Sequence, residues 1–158
     1  MTLEPLHKVF VYGTLKKGEP NHGWFSKDQS GYYKFLYEAI TCDKFPLIVA
    51  TQYNIPFMLH KPGMGHHVKG EVYEVDDKVL QKLDILEEHP EYYIRDPYDI
   101  KPLAPNQAET KAWIYMIRDF KPELLNQTFY ESYSNSYCSS KGLKYVESED
   151  STLEDLNG

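Results

Sequence analysis

The residue in this sequence best suited to acid–base chemistry is Glu87. A helix is predicted over Asp77–Glu88, and at about 100° per residue its apolar side chains fall on one stripe that includes Glu87 and leaves Glu88 on the opposite side. Burial and the negative end of the helix dipole both raise the pKa of such a carboxylate, as a general acid or base near neutral pH requires. Two alternatives stay open: the side chain turns to solvent, or it pairs with Arg95.

A second candidate is the glycine-containing turn after the short apolar run Val9–Tyr12. Gly13 and Gly18 have the spacing of a phosphate-binding loop, but that loop continues with Lys and Ser or Thr, whereas Glu19 and Pro20 follow here. A carboxylate at that place repels phosphate, which excludes a nucleotide site. The turn can still present backbone N–H groups to a small anion or an oxyanion, with an ordinary tight turn as the alternative.

The other residue types that carry out chemistry are scattered along the chain. His66 and His67 are adjacent, and neighbouring strand residues point to opposite faces, so the pair is a poor metal chelate. Cys42 and Cys138 have no histidine nearby in sequence, and no serine-nucleophile elbow occurs. We therefore expect no metal, no cofactor and no nucleophilic hydrolase chemistry.

Composition and charge narrow the class of protein further. The 158 residues are 41% hydrophobic and 15% aromatic, enough for one packed domain. The net charge of −7 argues against a nucleic-acid partner, and no apolar run reaches the roughly 20 residues of a membrane span. The N-terminus lacks a signal-peptide core and the two cysteines suit a reducing compartment, so we expect a cytoplasmic protein with no membrane partner, and a monomer.

Acidic residues are concentrated at the end of the chain. Glu147–Gly158 contains five acidic residues and no basic ones, which leaves a charge of only about −2 on the preceding sequence. We interpret 1–146 as a single domain and 147–158 as a solvated, disordered acidic tail. An acidic docking peptide is the alternative reading of this tail.

The elements that must position these residues are mostly strands. Seven apolar or β-branched runs separated by turn residues predict them: Val9–Tyr12, Tyr32–Thr41, Pro46–Ala50, Ile55–His60, Val68–Val75, Tyr92–Lys101 and Lys111–Ile117. The helix has Asp76 as its expected N-cap and is stopped by Pro90, and a second helix is predicted over Pro122–Tyr130. This pattern favours an α+β fold with the sheet curled into a small barrel.

Several short motifs follow one another along the chain in a fixed order. They are Val9–Gly18 with Pro20–His22, Phe45–Val49, Asn54–Pro56, Val68–Asp76, and Leu83–Glu87 followed by Pro90, Tyr93 and Arg95. Taken together they resemble the gamma-glutamylcyclotransferase-like family, and most closely its gamma-glutamylamine cyclotransferase branch. The first and last of these motifs, in this order and spacing, make the resemblance specific, and it extends from about residue 8 to Tyr145.

The resemblance implies a small mixed β-barrel with a few flanking helices. It implies that the catalytic residue is Glu87, which the helical pattern also selects. The residues to which it assigns binding of the gamma-glutamyl substrate are Tyr12, Gly13, Thr14, Leu15 and Tyr93.

The activity implied by the resemblance is a cofactor-independent lyase reaction on a small molecule. A gamma-glutamyl amine, such as gamma-glutamyl-ε-lysine, becomes 5-oxoproline and a free amine when its α-amine attacks its own side-chain amide. Glu87 acts as base and then as proton donor, and the N–H groups of Gly13–Leu15 bind the carboxylate or the oxyanion. A glutathione-type or general gamma-glutamylcyclotransferase is one alternative. A non-catalytic binding module that keeps the pocket is the other.

Overall fold

The computed structural model describes residues 6–19, 22–29, 31–50 and 55–134. Each predicted strand is confirmed, with ends that differ by up to two residues. The strands are β1 His7–Val11, β2 Tyr33–Thr41, β3 Leu47–Ala50, β4 Ile55–Met58, β5 Lys69–Val75, β6 Ile94–Pro102 and β7 Thr110–Met116. The helix α1 spans Asp77–Leu86, and short 3₁₀ helices span His22–Gln29 and Pro122–Asn126. Cys138 and the predicted acidic tail lie outside the described residues.

Five of the strands close into a barrel in the order β1-β5-β2-β6-β7. Its neighbouring strands are antiparallel, except that β1 and β7 pair in parallel through Val9 and Trp113. β3 and β4 form a separate antiparallel hairpin. The predicted α+β fold with a small mixed barrel is therefore confirmed.

Apolar side chains fill the inside of the barrel. One buried cluster takes a residue from each of the five strands, and these are Phe10, Val72, Ala39, Ile100 and Ile114. Side chains alternate between the two faces of a strand, so residues from every strand of a closed barrel can meet only inside it. The interior is a packed core.

The helix covers the outside of the barrel. Val79, Leu80 and Leu83, on the stripe predicted from the sequence, are buried in a second cluster with Val9 and Val11 of β1. Because β1 contributes alternate residues to the two clusters, this strand is covered on both faces. Tyr12 and the loop that follows it are therefore held between the barrel core and the helix layer.

The ends of α1 show one confirmed expectation and one error. Asp76 is the N-cap, and its Oδ1 accepts a hydrogen bond from the backbone N–H of Val79 at 3.0 Å. The predicted extent to Glu88 is wrong by two residues. Glu87 occupies the C-cap, and Glu88 has a φ of 51°, a left-handed conformation that ends a right-handed helix.

The predicted second helix, Pro122–Tyr130, is also too long. The structure has a single 3₁₀ segment, Pro122–Asn126. Beyond it the backbone N–H of Tyr130 donates to the carbonyl of Leu47 at 2.9 Å. This hydrogen bond fastens the chain to β3, and a continuing helix would need the same N–H group for itself.

Candidate active site

The loop that begins at Tyr12 is anchored to the barrel through a side chain. Tyr12 is buried, and its hydroxyl donates to the backbone carbonyl of Tyr115 on β7 at 2.6 Å. Burial, and after it the nearby Glu87 carboxylate, raises the pKa of Tyr12 well above its ordinary value. The hydroxyl therefore stays protonated at neutral pH, and Tyr12 holds the loop in place next to Glu87.

Gly13 is needed for space rather than for an unusual backbone conformation. A Cβ at this position would lie 2.8 Å from Cγ of Pro56 on β4, closer than real Cβ atoms approach other heavy atoms. The chain turns directly after it, where the N–H of Lys16 donates to the carbonyl of Gly13 at 3.1 Å. The loop is thus packed against β4, and a side chain at Gly13 would have to displace either the loop or β4.

The rest of the loop offers mainly its backbone to a ligand. Leu15 is buried in the cluster beneath α1, whereas Thr14 is partly exposed. His22 Nδ1 donates to the carbonyl of Leu15 at 2.9 Å, which fixes the far end of the loop. Among the described turns and loops, no backbone carbonyl accepts a hydrogen bond from the N–H groups of Gly13 and Leu15. Such groups are suitable donors to a carboxylate or an oxyanion.

Lys16, which the sequence reasoning passed over, fastens the loop to a distant segment. Its Nζ donates to the backbone carbonyl of Tyr133, a residue buried in the barrel cluster. Burial lowers the pKa of this lysine. The contact joins residues 117 positions apart, so neither spacing nor periodicity could have indicated it.

Glu87 lies at the end of α1 with its side chain turned partly inward. The residue is half-buried, whereas Glu88 is exposed, as the helical pattern predicts. Burial of the carboxyl, and after it the negative charge of Glu88, raises the pKa of Glu87 to about 8. The expected direction of this shift is confirmed. Glu87 is therefore able to gain and lose a proton near neutral pH.

Arg95 does not neutralise Glu87, so this alternative reading of the sequence is wrong. The guanidinium is engaged with Asp84, through Nε to Oδ1 at 2.7 Å and Nη2 to Oδ2 at 3.1 Å. The hydroxyl of Tyr115 also donates to Asp84 Oδ1 at 2.6 Å. The sequence reasoning did not single out Asp84. A signal was present, because it precedes Glu87 by three residues and so lies on the same side of the helix.

Tyr93 connects the turn after the helix to the hairpin. Its backbone N–H donates to the carbonyl of Glu87 at 3.2 Å, and its hydroxyl donates to the carbonyl of Pro56 at 3.3 Å. The buried ring stacks on Phe57, with ring centroids 5.9 Å apart. Pro56 thus contacts both Gly13 and Tyr93. The structure brings every residue predicted for the site into one region, bounded by the loop after β1, β4 and the end of α1.

The described residues contain no group of three or more His, Cys, Asp and Glu side chains placed to hold a metal ion. Cys42 forms no disulfide, and burial together with nearby acidic residues raises the pKa of its thiol. A raised thiol pKa makes a cysteine a poor nucleophile. Within the same residues, no helix is long and apolar enough to cross a membrane.

The closed mixed barrel, with a helix that ends in a carboxylate beside the first loop, defines the class of the protein. The crystal structure of an AIG2-like protein from Mus musculus matches this chain with a TM-score of 0.85 and 35% sequence identity. The match covers 92% of this chain and 99% of the mouse chain. The fold is therefore that of the AIG2-like proteins.

A family model described as gamma-glutamyl cyclotransferase, AIG2-like, matches residues 9–137, and the chain belongs to this family. Gamma-glutamylaminecyclotransferase C of Danio rerio is 41% identical over 147 residues, which are 91% of this chain and 95% of that protein. A Drosophila melanogaster protein provisionally named a gamma-glutamylcyclotransferase is 50% identical over 129 residues, 82% of this chain and 81% of its own. The family predicted from the sequence is confirmed.

Proposed function

We propose that this protein is a gamma-glutamylamine cyclotransferase, which converts gamma-glutamyl amines to 5-oxoproline and a free amine. The observation that carries the proposal is the half-buried Glu87 carboxyl, whose pKa is raised to about 8, beside the loop Tyr12–Leu15. The names of several relatives, among them gamma-glutamylaminecyclotransferase C of Danio rerio, support the same activity.

The first step moves a proton from the substrate α-amine, which is an ammonium ion near neutral pH, to the carboxylate of Glu87. Free α-amines have a pKa of about 8, close to that of Glu87, so the carboxylate can accept the ammonium proton at little cost in free energy. The neutral amine then attacks the side-chain amide carbon, and a new C–N bond closes the five-membered ring. Because nucleophile and electrophile belong to one molecule, the site has only to hold the reactive rotamer.

Breakdown of the tetrahedral intermediate returns the proton. Glu87 gives its proton to the departing nitrogen as the old amide C–N bond breaks, and it takes the surplus proton from the ring nitrogen. Glu87 then passes this second proton to the released amine, so the products are 5-oxoproline and an ammonium ion. Glu87 is again a carboxylate, and neither the number of protons nor any oxidation state has changed overall. These steps move protons only, so we propose that no cofactor takes part.

The loop after β1 supplies the electrostatic part of the site. We assign the N–H groups of Gly13 and Leu15 to the substrate carboxylate or to the oxygen that becomes negative during attack. The Leu15 side chain is buried and the Tyr12 hydroxyl is engaged with β7, so both residues act through the backbone that they hold in place. We assign Tyr93, whose hydroxyl donates to the carbonyl of Pro56, to the lining of the site on the side of β4.

Release of 5-oxoproline from a panel of gamma-glutamyl compounds tests the proposal. The panel contains gamma-glutamyl-ε-lysine, glutathione and a gamma-glutamyl amino acid, and we expect the highest kcat/KM for the first. A preference for glutathione makes the protein a glutathione-type cyclotransferase. If none of the compounds yields 5-oxoproline while each still binds, the protein is a binding module and the proposed function is wrong.

A further inference from the structure

Asp84 lies one helical turn before Glu87, and its carboxylate is saturated by donors from two strands. Arg95 of β6 donates to both oxygens, and Tyr115 of β7 donates to Oδ1 at 2.6 Å. The side chains of the ion pair keep only about a fifth of their exposure, Arg95 19% and Asp84 21%. A two-point pair of this kind fixes the orientation of both partners as well as their distance.

The turn that carries Glu87 is closed by the same residues. The N–H of His89 donates to the carbonyl of Asp84 at 2.9 Å, and the N–H of Arg95 donates to His89 Nδ1 at 3.2 Å. Asp84 and Arg95 therefore hold the two ends of the segment through both main chain and side chains. Glu87 lies between these two fastened points.

Tyr115 joins this segment to the substrate loop. Its backbone carbonyl accepts the hydrogen bond of the Tyr12 hydroxyl, and its own hydroxyl donates to Asp84. Each bond is 2.6 Å long. One residue of β7 thus contacts both the residue that anchors the loop and the residue that anchors the end of the helix.

We propose that Asp84, Arg95 and Tyr115 are positioning residues that set the separation between Glu87 and the loop Tyr12–Leu15. The inference rests on the proposed function, because it assigns these residues a role in the reaction of Glu87. Arg95 also has an electrostatic role, because its positive charge cancels the negative charge of Asp84 close to the Glu87 carboxylate.

The charged and titratable groups near Glu87 come from each element packed around it. Glu88, His89 and Tyr93 belong to the turn that follows Glu87. Tyr12 belongs to the loop after β1 and Tyr115 to β7, and the charge of Glu87 helps to raise the pKa of both. Asp84 of α1 and Arg95 of β6 add opposite charges that largely cancel. In agreement with this cancellation, the pKa of Glu87 is raised by burial and by Glu88.

Substitutions that remove the charge of either Asp84 or Arg95 test the proposal. The measurement is the pH at which kcat/KM falls on the acid side, here called the acid limb. Asp84→Asn leaves the Arg95 cation unpaired, which favours ionised Glu87 and lowers its pKa. Arg95→Met leaves the Asp84 anion unpaired, which disfavours ionised Glu87 and raises the pKa of Glu87. We expect the acid limb to move by about 0.5 pH unit or more in opposite directions. Arg95→Lys keeps the charge and should leave the limb near its wild-type position.

A role in folding alone gives a different result. Loosening the turn admits water to Glu87, which lowers its pKa in every variant. An acid limb that moves downward in both Asp84→Asn and Arg95→Met, or that moves in neither, overturns the proposal. Wild-type protein is measured in parallel, and its failure to release 5-oxoproline counts against the proposed function instead.

Tyr115→Phe provides a test that does not depend on charge or on recovery of the ion-pair variants. It removes the hydroxyl and keeps the ring and the carbonyl that accepts from Tyr12. We expect kcat to fall about tenfold or more with KM little changed, because the substrate loop is intact. Tyr73→Phe is the matched control, since it removes a hydroxyl that donates to Glu71 at 2.9 Å. Equal kcat losses in both variants contradict the positioning role.

Discussion

Glu87 and Glu88 are adjacent in sequence, yet they lie on opposite sides of the helix end. Glu87 caps α1 and is half-buried, whereas Glu88 adopts a φ of 51° and is exposed. The exposed charge also raises the pKa of the half-buried one. This relationship gives the site an acid–base group together with a neighbouring control position of the same residue type.

Replacing Glu87 with Gln should abolish most of the activity without unfolding the protein. Gln keeps the shape and removes the titrating group, so we expect kcat to fall at least about 100-fold. The measurement is 5-oxoproline release at saturating gamma-glutamyl-ε-lysine. Glu88→Gln is the matched control, and it should retain activity within about threefold near pH 8. Similar losses in the two variants would remove the reason for choosing Glu87.

The pH dependence of kcat/KM should show an acid limb close to pH 8. Below that pH both Glu87 and the substrate amine are protonated. The reaction requires that only one of these two groups carries a proton, so the rate falls. Glu88→Gln removes the charge that helps to raise the pKa of Glu87, so its acid limb should move to lower pH. A limb near pH 4.5 in wild-type protein would contradict a raised pKa of Glu87, because 4.5 is the ordinary value for a glutamate.

The stability of the protein should depend on the same titration. The pKa of Glu87 is about 8 when folded and near 4.5 in the unfolded chain, so the folded state binds more protons between these values. The contribution of Glu87 to the free energy of unfolding is therefore largest below pH 4.5, and it is lost as the pH rises toward 8. We expect Glu87→Gln to melt above wild type at pH 9, with a smaller difference at pH 5. The opposite trend would contradict a buried carboxyl.

Gly13→Ala should impair the site because the added methyl group meets Pro56. The Cβ would lie 2.8 Å from Pro56 Cγ, so the loop or the β3–β4 hairpin must move. We expect KM to rise at least about threefold, with a lower melting temperature. Gly23→Ala is the control, because a Cβ there meets no atom within 4 Å. If both substitutions are silent, the close contact between the loop and β4 is not required.

The strands and the inward stripe of α1 were predictable because they depend on local patterns. β-Branched runs bounded by turn residues located the strands, and the 3.6-residue period placed Glu87 beside the apolar side chains. The end of the helix at Leu86 was not predicted. Glu88 ends the helix in a left-handed conformation, and this conformation is usually indicated in a sequence by glycine. Nothing at that position distinguishes it from a glutamate inside a helix.

The contacts that assemble the site could not be predicted in the same way. Tyr115 is 31 positions from Asp84 and 103 from Tyr12, and it meets both only because the barrel places β7 beside β1. The contact of Gly13 with Pro56 likewise depends on how the β3–β4 hairpin packs. Each is a consequence of tertiary structure. The resemblance to a family pointed to Glu87, to the loop Tyr12–Leu15 and to Tyr93, but not to Tyr115 or to any of these contacts.

The central claim, that the substrate cyclises through its own α-amine, is tested most directly by blocking that amine. Gamma-glutamyl-ε-lysine and its α-N-acetyl derivative at the glutamyl residue are compared, with product identity followed by mass spectrometry. We predict 5-oxoproline and lysine from the first compound and no turnover of the second, and a turnover of the first compound by Glu87→Gln that is at least about 100-fold lower. Glutamate as the first product, or release of lysine from the acetylated compound, would show that water or an enzyme nucleophile attacks the amide, and would contradict cyclisation.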